Sequence, residues 1–238
     1  VVFKHNNSVM YCDSATYDRG NNSFIAYSNI KIVENDSMKL YGDSLHYFGN
    51  EEKAFLFGNV KLITNQILLN ANSLIYDQNN NYAYYNDGGI IKHHGKNYTI
   101  NSKVGRFNSI NKVLFFKKNV KLEHIDYQIF SDTLVYHTES EKTNIIGDTK
   151  IKSRNSTISC SKGWFDNNNQ TSSLKGNIVI DSKNYQFYAD SIFYQEQKGE
   201  AFAKGEVKII DDSSQTVIIG QYGYHNENKD LQESGSML

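Results

Sequence analysis

Apolar and polar residues alternate along short stretches of the chain, and polar turn segments separate one stretch from the next. In one such stretch Tyr185, Phe187 and Ala189 occupy every second position. A period of two is typical of a β-strand that buries one face. The alternation changes phase at Asp190-Ser191, which indicates a bulge or sharp bend within the strand.

This pattern recurs eight times along the 238 residues, with an aromatic residue every 29 to 31 positions and an apolar residue seven positions before it. The aromatic column is Tyr17, Tyr47, Tyr76, Phe107, Tyr136, Phe165, Tyr194 and Tyr224. The apolar column is Met10, Leu40, Leu69, Ile100, Ile129, Ile158, Phe187 and Val217. Turn pairs follow most aromatic positions, at Gly58-Asn59, Gly147-Asp148, Gly176-Asn177 and Gly205-Glu206. A repeat of this kind predicts a stacked β-array rather than a globular enzyme.

Each repeat supplies two long strands that bend near their middle, and short polar turns between them predict antiparallel pairing. We therefore predict an all-β fold: an elongated antiparallel β-jellyroll, or β-taco, trough of about sixteen bent strands with apolar inner faces. The unbroken period favours a single domain over residues 1–238. The eighth repeat stops midway through its second strand, so we expect a segment of a longer chain. A right-handed β-helix is the competing layout.

The inner surface of the predicted trough follows from the columns, and its apolar side chains are the candidate lipid-binding residues. They are Leu40, Leu69, Tyr76, Ile100, Phe107, Val120, Leu122, Ile129, Tyr136, Ile158, Phe165, Ile178, Ile180, Phe187 and Tyr194. Several inner positions hold small residues instead, namely Gly42, Ala71, Gly105, Gly163 and Ala189. These small residues either leave a lengthwise groove or allow close sheet packing, and the sequence does not decide between the two.

Composition narrows the function classes. The 25 basic and 26 acidic residues give a net charge of −1, which argues against a nucleic-acid partner. Proline is absent, as suits continuous strand ladders, and no stretch is apolar enough to span a bilayer as a helix. Cys12 and Cys160 fall in the column of small residues, so we predict two buried thiols that are too far apart for a disulfide.

Candidate catalytic groups have simpler structural explanations. An acidic column, Asp13, Asp43, Asp132 and Asp190, lies beside serine at the predicted bends, where it is expected to cap turns. The seven histidines share no column and no metal-ligand spacing. We therefore predict no catalytic residues, no metal and no cofactor. A lysine column, Lys31, Lys61, Lys121, Lys150 and Lys208, alternates with inner residues and should face outward.

The repeat unit resembles the OstA-like family of lipopolysaccharide-transport proteins of the LptA type, in particular its Bacteroidetes branch. The resemblance is carried by copies such as residues 42–47 (GDSLHY) leading to 58–62 (GNVKL), and 189–194 (ADSIFY) leading to 205–209 (GEVKI), and it covers essentially the whole chain. It implies a periplasmic bridge without catalytic residues, which shields the acyl chains of lipid A in an apolar trough. It also implies partners: lipopolysaccharide, other β-jellyroll Lpt-type proteins joined by edge-strand addition at both ends, and a head-to-tail homo-oligomer.

Two other functions are compatible with parts of the sequence. A structural or adhesive β-repeat scaffold with a filled core would show the same columns. A β-helical carbohydrate-active enzyme would need an acidic cluster on one sheet face. The third repeat is irregular at Asn86 to Gly89, and the sequence leaves open whether this is neutral drift or a bulge or local widening.

Overall fold

A computed structural model shows a chain made almost wholly of antiparallel β-strands. It describes residues 1–5, 8–34, 38–108, 110–226 and 231–235. Contacts divide the chain into two units, residues 1–125 and residues 126–238, and each is described by itself. Within the described residues, no helix has the length and apolar character needed to cross a membrane.

Unit 1 contains twelve of the described strands, and each pairs with antiparallel neighbours. They are β1 (Val2–His5), β2 (Ser8–Tyr11), β3 (Ser14–Asp18), β4 (Ser23–Glu34), β5 (Met38–Phe48), β6 (Lys53–Ile63), β7 (Ile67–Asp77), β8 (Tyr82–Tyr85), β9 (Gly89–His93), β10 (Tyr98–Ser102), β11 (Val104–Asn108) and β12 (Val113–Glu123). Three bent strands are each divided into two segments: β2 with β3, β8 with β9, and β10 with β11. The two segments of each strand pair with the same neighbour, which is β4, β7 and β12 respectively.

Unit 2 contains eight of the described strands, joined mostly by tight turns. They are β13 (Tyr127–His137), β14 (Lys142–Ser153), β15 (Ser156–Asp166), β16 (Thr171–Ser182), β17 (Tyr185–Gln195), β18 (Glu200–Asp211), β19 (Thr216–Asn226) and β20 (Leu231–Gly235). A single 3-10 turn, Glu196–Lys198, connects β17 to β18. The prediction of an all-β antiparallel array of bent strands is confirmed.

The bends lie at the predicted turn pairs, where the pairing register shifts. Gly58 and Asn59 have φ of 73° and 47°, and Gly176 and Asn177 have φ of 82° and 47°. Consecutive left-handed residues turn the strand sharply while pairing resumes on both sides. The same conformation occurs without glycine at Ser28-Asn29 and Lys118-Asn119, which the sequence pattern did not predict as bends.

Each bend divides a strand into two segments, which we call the aromatic arm and the aliphatic arm after the columns they carry. The aromatic arm comprises residues 14–27, 44–57, 73–85, 104–108 and 110–117 in unit 1, and 133–146, 162–175, 191–204 and 222–226 in unit 2. The aliphatic arm comprises residues 8–11, 30–34, 38–42, 60–71, 89–102 and 120–123 in unit 1, and 127–131, 149–160, 178–189 and 207–220 in unit 2.

The acidic column stabilises the bends from the neighbouring strand. The side-chain amide of Asn59 donates to Asp43 Oδ2 at 2.8 Å, and Asn29 donates to Asp13 Oδ2 at the same distance. A Cβ atom at Gly58 would meet the Asp43 carboxylate, as one at Gly205 would meet Asp190. These aspartates therefore cap bends, as predicted, but the bend that each one caps lies in the neighbouring strand.

The last repeat corrects one register prediction. Ile209 pairs with Ile218, and Ala201 pairs with His225. Val217 and Tyr224 are opposite Ile210 and Phe202, so they face outward and do not continue the two columns as predicted. The spacing of seven positions is kept by Ile218 and His225, whereas Tyr224 is an aromatic residue on the other face.

Candidate functional site

The candidate site is the inner face of the two arms, where the predicted columns are aligned across strands. In the aliphatic arm of unit 1 the aligned side chains are Leu40, Leu62, Leu69, Ile91, Ile100 and Leu122. In unit 2 they are Ile129, Ile151, Ile158, Ile180, Phe187, Ile209 and Ile218. Each unit thus has a continuous aliphatic row, because cross-strand neighbours on one face lie directly opposite each other.

Over most of its inner row the aromatic arm alternates a large ring with a small side chain; the exceptions are Phe24 opposite Tyr47 and Leu114 opposite Phe107. In unit 1 this row is Tyr47, Ala54, Tyr76, Ala83, Phe107 and Leu114. In unit 2 it is Tyr136, Thr143, Phe165, Ser172, Tyr194, Ala201 and His225. The rings alone were visible in the sequence. The small partners were missed, although a search for alanine or serine between the rings would have found most of them.

Near the bends the two arms pack against each other. In unit 2 one core cluster contains Leu174 and Ile178, which flank the bend at Gly176 on the same strand. The same cluster includes Ile145 from the aromatic arm and Ile158 from the aliphatic arm. The inner faces of the two arms are therefore in contact at the bend, and the strands of this unit form a two-layer wedge.

Side chains beside the bends are buried, whereas burial at equivalent positions farther along the arms differs between repeats. Val60 and Val207, beside bends, are 1% exposed, whereas in the aromatic column Tyr76 is 43% exposed and Tyr136 is 9% exposed. The candidate residues fall into three groups by exposure. Leu69, Ile100, Val120, Leu122, Ile129, Tyr136 and Ile178 are buried; Leu40, Phe107, Ile158, Phe165, Ile180, Phe187 and Tyr194 are half-buried; Tyr76 is exposed.

The small inner residues allow close packing instead of leaving a groove beside the bends. A Cβ atom at Gly42 would lie 2.8 Å from Leu56 Cγ, and one at Gly163 would lie 2.7 Å from Leu174 Cδ2. Large side chains from adjacent strands already occupy these spaces. Of the two possibilities that the sequence left open, close packing is the one found at these glycines.

The irregular third repeat is filled by one buried ring that sequence reasoning missed. Tyr85 is 2% exposed, and its ring occupies the space above Gly89 and Gly105. Its hydroxyl forms a 2.7 Å hydrogen bond with Ser102 Oγ, and burial raises the pKa of the phenol. Residues 86–88 interrupt the strand, but this ring prevents a local widening.

The arm ends of unit 1 carry both polar and aromatic contacts across the inner face. Burial, and then the nearby Glu34 carboxylate of the aliphatic arm, raise the pKa of Tyr76 in the aromatic arm. Phe3, which pairs with Met10, stacks on Phe24 of the aromatic arm with ring centroids 5.6 Å apart. The inner face therefore ends in tyrosine hydroxyls and rings at the side that solvent reaches.

Other reactive groups lie outside this lining or are covered. Cys12 and Cys160 are free and buried, as predicted, and burial raises the pKa of the Cys160 thiol to about 11.

A polar surface cavity of about 420 Å³ has Tyr84 and Arg106 in its wall, on the outer face of unit 1. Within the described residues, no group of three or more His, Cys, Asp or Glu side chains is placed to hold a metal ion.

A family model described as OstA-like protein matches residues 1–132. No curated protein matches the chain. Among matching solved structures is the crystal structure of LptH, the LptA homologous periplasmic component of the conserved lipopolysaccharide transport device from Pseudomonas aeruginosa. That structure has 12% sequence identity and a TM-score of 0.22, and the match covers 74% of this chain and 94% of that one.

Proposed function

Because this chain belongs to the OstA-like protein family, we propose that it transports lipopolysaccharide by binding the acyl chains along its inner lining. The observation that carries the proposal is the pair of aligned inner rows, packed at the bends and with half-buried or exposed side chains in some of the repeats. Acyl chains would enter between the arm ends and contact the half-buried side chains first, such as Leu40, Phe187 and Tyr194.

The energetics favour such a site. Each methylene removed from water contributes about 0.8 kcal/mol, so an acyl chain of ordinary length gains several kcal/mol by entering an apolar lining. Tyrosine hydroxyls at the arm ends would meet the polar part of the same molecule, since a phenol combines an apolar ring with a hydrogen-bonding group. The deeper residues, among them Ile129 and Tyr136, would join the site only where the two arms separate.

The family membership also supports the wider setting of the proposal. We place the protein in the periplasm as a bridge component, with residues 1–238 as one continuous repeat domain. Its partners would be lipid A and other β-jellyroll Lpt-type proteins, which would add strands to exposed sheet edges, or further copies of the same chain. Main-chain groups on an edge strand offer the hydrogen bonds for that addition.

The proposal is tested by two substitutions matched in residue type and exposure. Tyr76 is 43% exposed on the inner face, and Tyr82 is 38% exposed on the outer face of the next strand. Tyr76→Glu should weaken binding of a fluorescent acyl probe by about tenfold, which corresponds to 1.4 kcal/mol. Tyr82→Glu should leave the affinity unchanged, and unlabelled lipopolysaccharide should displace the probe from the parent protein. Equal affinities for both variants would contradict the proposal.

A filled scaffold without ligand is the second candidate, and the close packing around Gly42 and Tyr85 favours it locally. The two candidates differ in what the protein carries when it is purified from cells. Mass spectrometry of an organic extract should find acylated lipid in stoichiometric amount if the lining is a binding site. A lipid-free extract together with no probe binding would support the scaffold.

A further inference from the structure

The outer face of the aromatic arm in unit 2 carries a row of four aromatic side chains. Trp164, Phe193, Phe202 and Tyr224 occupy the same outward row on β15, β17, β18 and β19. Phe193 is paired directly with Phe202, the rings of Trp164 and Phe193 are 6.3 Å apart, and those of Phe202 and Tyr224 are 5.1 Å apart. Phe202 is 38% exposed. The row therefore presents aromatic surface to solvent, away from the inner lining.

A row of lysines runs beside these rings on the same face. Lys162 is paired with Lys175 across β15 and β16, and Lys204 follows two strands further on. All three are exposed, and the salt bridges found among the described residues do not include them. Like charges directly opposite each other destabilise a sheet. The sheet thus holds a positive row that its own acidic residues do not neutralise by direct contact.

This lysine row is not a property of the repeat. The corresponding outward positions of unit 1 include Tyr27, Ser44, Phe57 and Ser73, and only Lys117 among them is basic. The same strand geometry is therefore compatible with neutral residues at these positions. At these positions unit 2 has aromatic rings and lysine ammonium groups that form no salt bridge within the described residues, although the fold requires neither the rings nor the charges.

We propose that this face binds an acidic saccharide, one whose sugar rings carry carboxylate or phosphate groups. The negative face of an aromatic ring attracts the C–H groups on the face of a pyranose, and the ammonium groups pair with the acidic substituents. Lys142 Nζ lies over the Trp164 ring, 4.3 Å from its centre, where it adds positive charge within the aromatic row and covers one face of that ring.

The surrounding charges favour a sparsely charged saccharide over a nucleic acid. Asp190 and Glu206 border the lysine row at the bends, and Asp166 and Glu200 border the aromatic row at the turns. A nucleic acid carries a negative charge on every nucleotide and would place phosphates against these carboxylates. A saccharide with intermittent acidic groups can match the three lysines and present neutral ring faces elsewhere.

Trp164 is the single tryptophan of the chain, so its fluorescence reports directly on this face. The purified protein is titrated with a hyaluronan oligosaccharide, which carries a carboxylate on every second sugar, with neutral maltooligosaccharide, with polyglutamate and with a single-stranded DNA oligonucleotide. We expect a saturable change in Trp164 emission with the hyaluronan oligosaccharide alone, weakened by added salt. No change with the hyaluronan oligosaccharide overturns the proposal, as does equal or tighter binding of polyglutamate or DNA.

Two double variants, each of which removes two positive charges, distinguish binding at this face from a general effect of net charge. Lys162→Ser/Lys175→Ser gives the face the serines that unit 1 has, and it should weaken binding of the hyaluronan oligosaccharide about tenfold. Lys61→Ser/Lys117→Ser removes two exposed lysines from the outer face of unit 1 and should leave binding unchanged. Equal losses in both variants overturn the proposal. Acyl-probe binding by the first variant should equal that of the parent protein, so this result is independent of the lipid lining.

Discussion

The ring of Tyr85 shows how single side chains occupy the space beside the bends. Glycine at positions 89 and 105 leaves room for this ring, and Ser102 satisfies its hydroxyl. A larger residue at either glycine would have to displace the ring. The packing of this region therefore depends on one aromatic residue that lies outside the repeat columns.

Gly105→Ala should lower the free energy of unfolding by about 1–3 kcal/mol, the range for overpacking a filled core. Chemical denaturation measures this loss. Gly95→Ala is the matched control, because the nearest heavy atom to its added methyl group is 3.6 Å away. Truncation of the ring in Gly105→Ala/Tyr85→Ala should make the glycine substitution nearly neutral relative to Tyr85→Ala. A neutral Gly105→Ala single variant would show that the ring does not fill this space.

The lowered pKa of one turn aspartate predicts how stability depends on pH. Hydrogen bonds from the Ser213 hydroxyl, and then from the Ser214 amide, lower the pKa of Asp211 to about 2 from its ordinary value of 3.8. Because the folded-state pKa is the lower one, this contribution is present above pH 4 and is lost as the pH falls toward 2.

Asp211→Asn should reduce the loss of stability between pH 4 and pH 2, measured as the denaturation midpoint at each pH. Asp212→Asn removes the same charge at the next position, where the carboxylate is not the acceptor of these hydrogen bonds. This control should retain the parent's acid dependence. Identical pH profiles for the parent and Asp211→Asn would refute the assignment.

At the scale of the strand, the left-handed bend is the element that brings one arm onto the other. Gly58 combines a φ of 73° with a position directly against Asp43. Gly58→Ala should cost at least 1–2 kcal/mol, roughly the penalty of a left-handed conformation for an L-residue. Gly20→Ala, where the nearest atom to the new methyl group is 3.4 Å away, is the control and should unfold at the parent's temperature. A thermal melt in which both variants unfold together would contradict this account of the bend.

A second strand-level prediction concerns the lysines that face each other across β15 and β16. Lys175→Glu replaces a like-charge pair with Lys162 by an opposite-charge pair. Stability should rise by about 0.2–1 kcal/mol, the range for cross-strand pairs, and the gain should shrink in high salt. Lys175→Gln, which only removes the repulsion, should give a smaller gain that also shrinks in high salt. A salt-independent gain, or a loss, would mean that the two ammonium groups do not interact.

The strands were predictable from the sequence because burial of one face requires a period of two, and the Gly-Asn pairs mark bends through a left-handed backbone that glycine favours. The bends at Ser28-Asn29 and Lys118-Asn119 were not, since serine and lysine, which have no such preference, precede the asparagine there in place of glycine. Tyr224 was misplaced because Val217 and Tyr224 keep the same spacing of seven as Ile218 and His225, so spacing does not tell which pair faces inward. The filling of the inner face by Tyr85 depends on contacts between strands, which a periodic pattern does not contain.

At the scale of the whole chain, the repeat gives every bent strand the same two-sided design, an apolar inner face and an outer face with lysines and rings. The predicted outward position of the lysine column is confirmed by its register opposite Tyr11, Tyr41, Phe130 and Tyr188 on the outer face. Several of these contacts are close, such as Lys31 over the ring of Tyr11 at 5.7 Å. The proposed transport function requires that only the inner face contacts lipid.

The most direct test of that requirement is a photo-crosslinking scan along β17 with lipopolysaccharide bound. The inner face of this strand contains Phe187 before the bend and Ile192 and Tyr194 after it, so the reactive positions should change from odd to even numbers at Asp190. Labelling at these positions, with none at Gln186 or Tyr188, is the predicted result. Equal labelling on both faces, or no labelling at any inner position, would contradict the account.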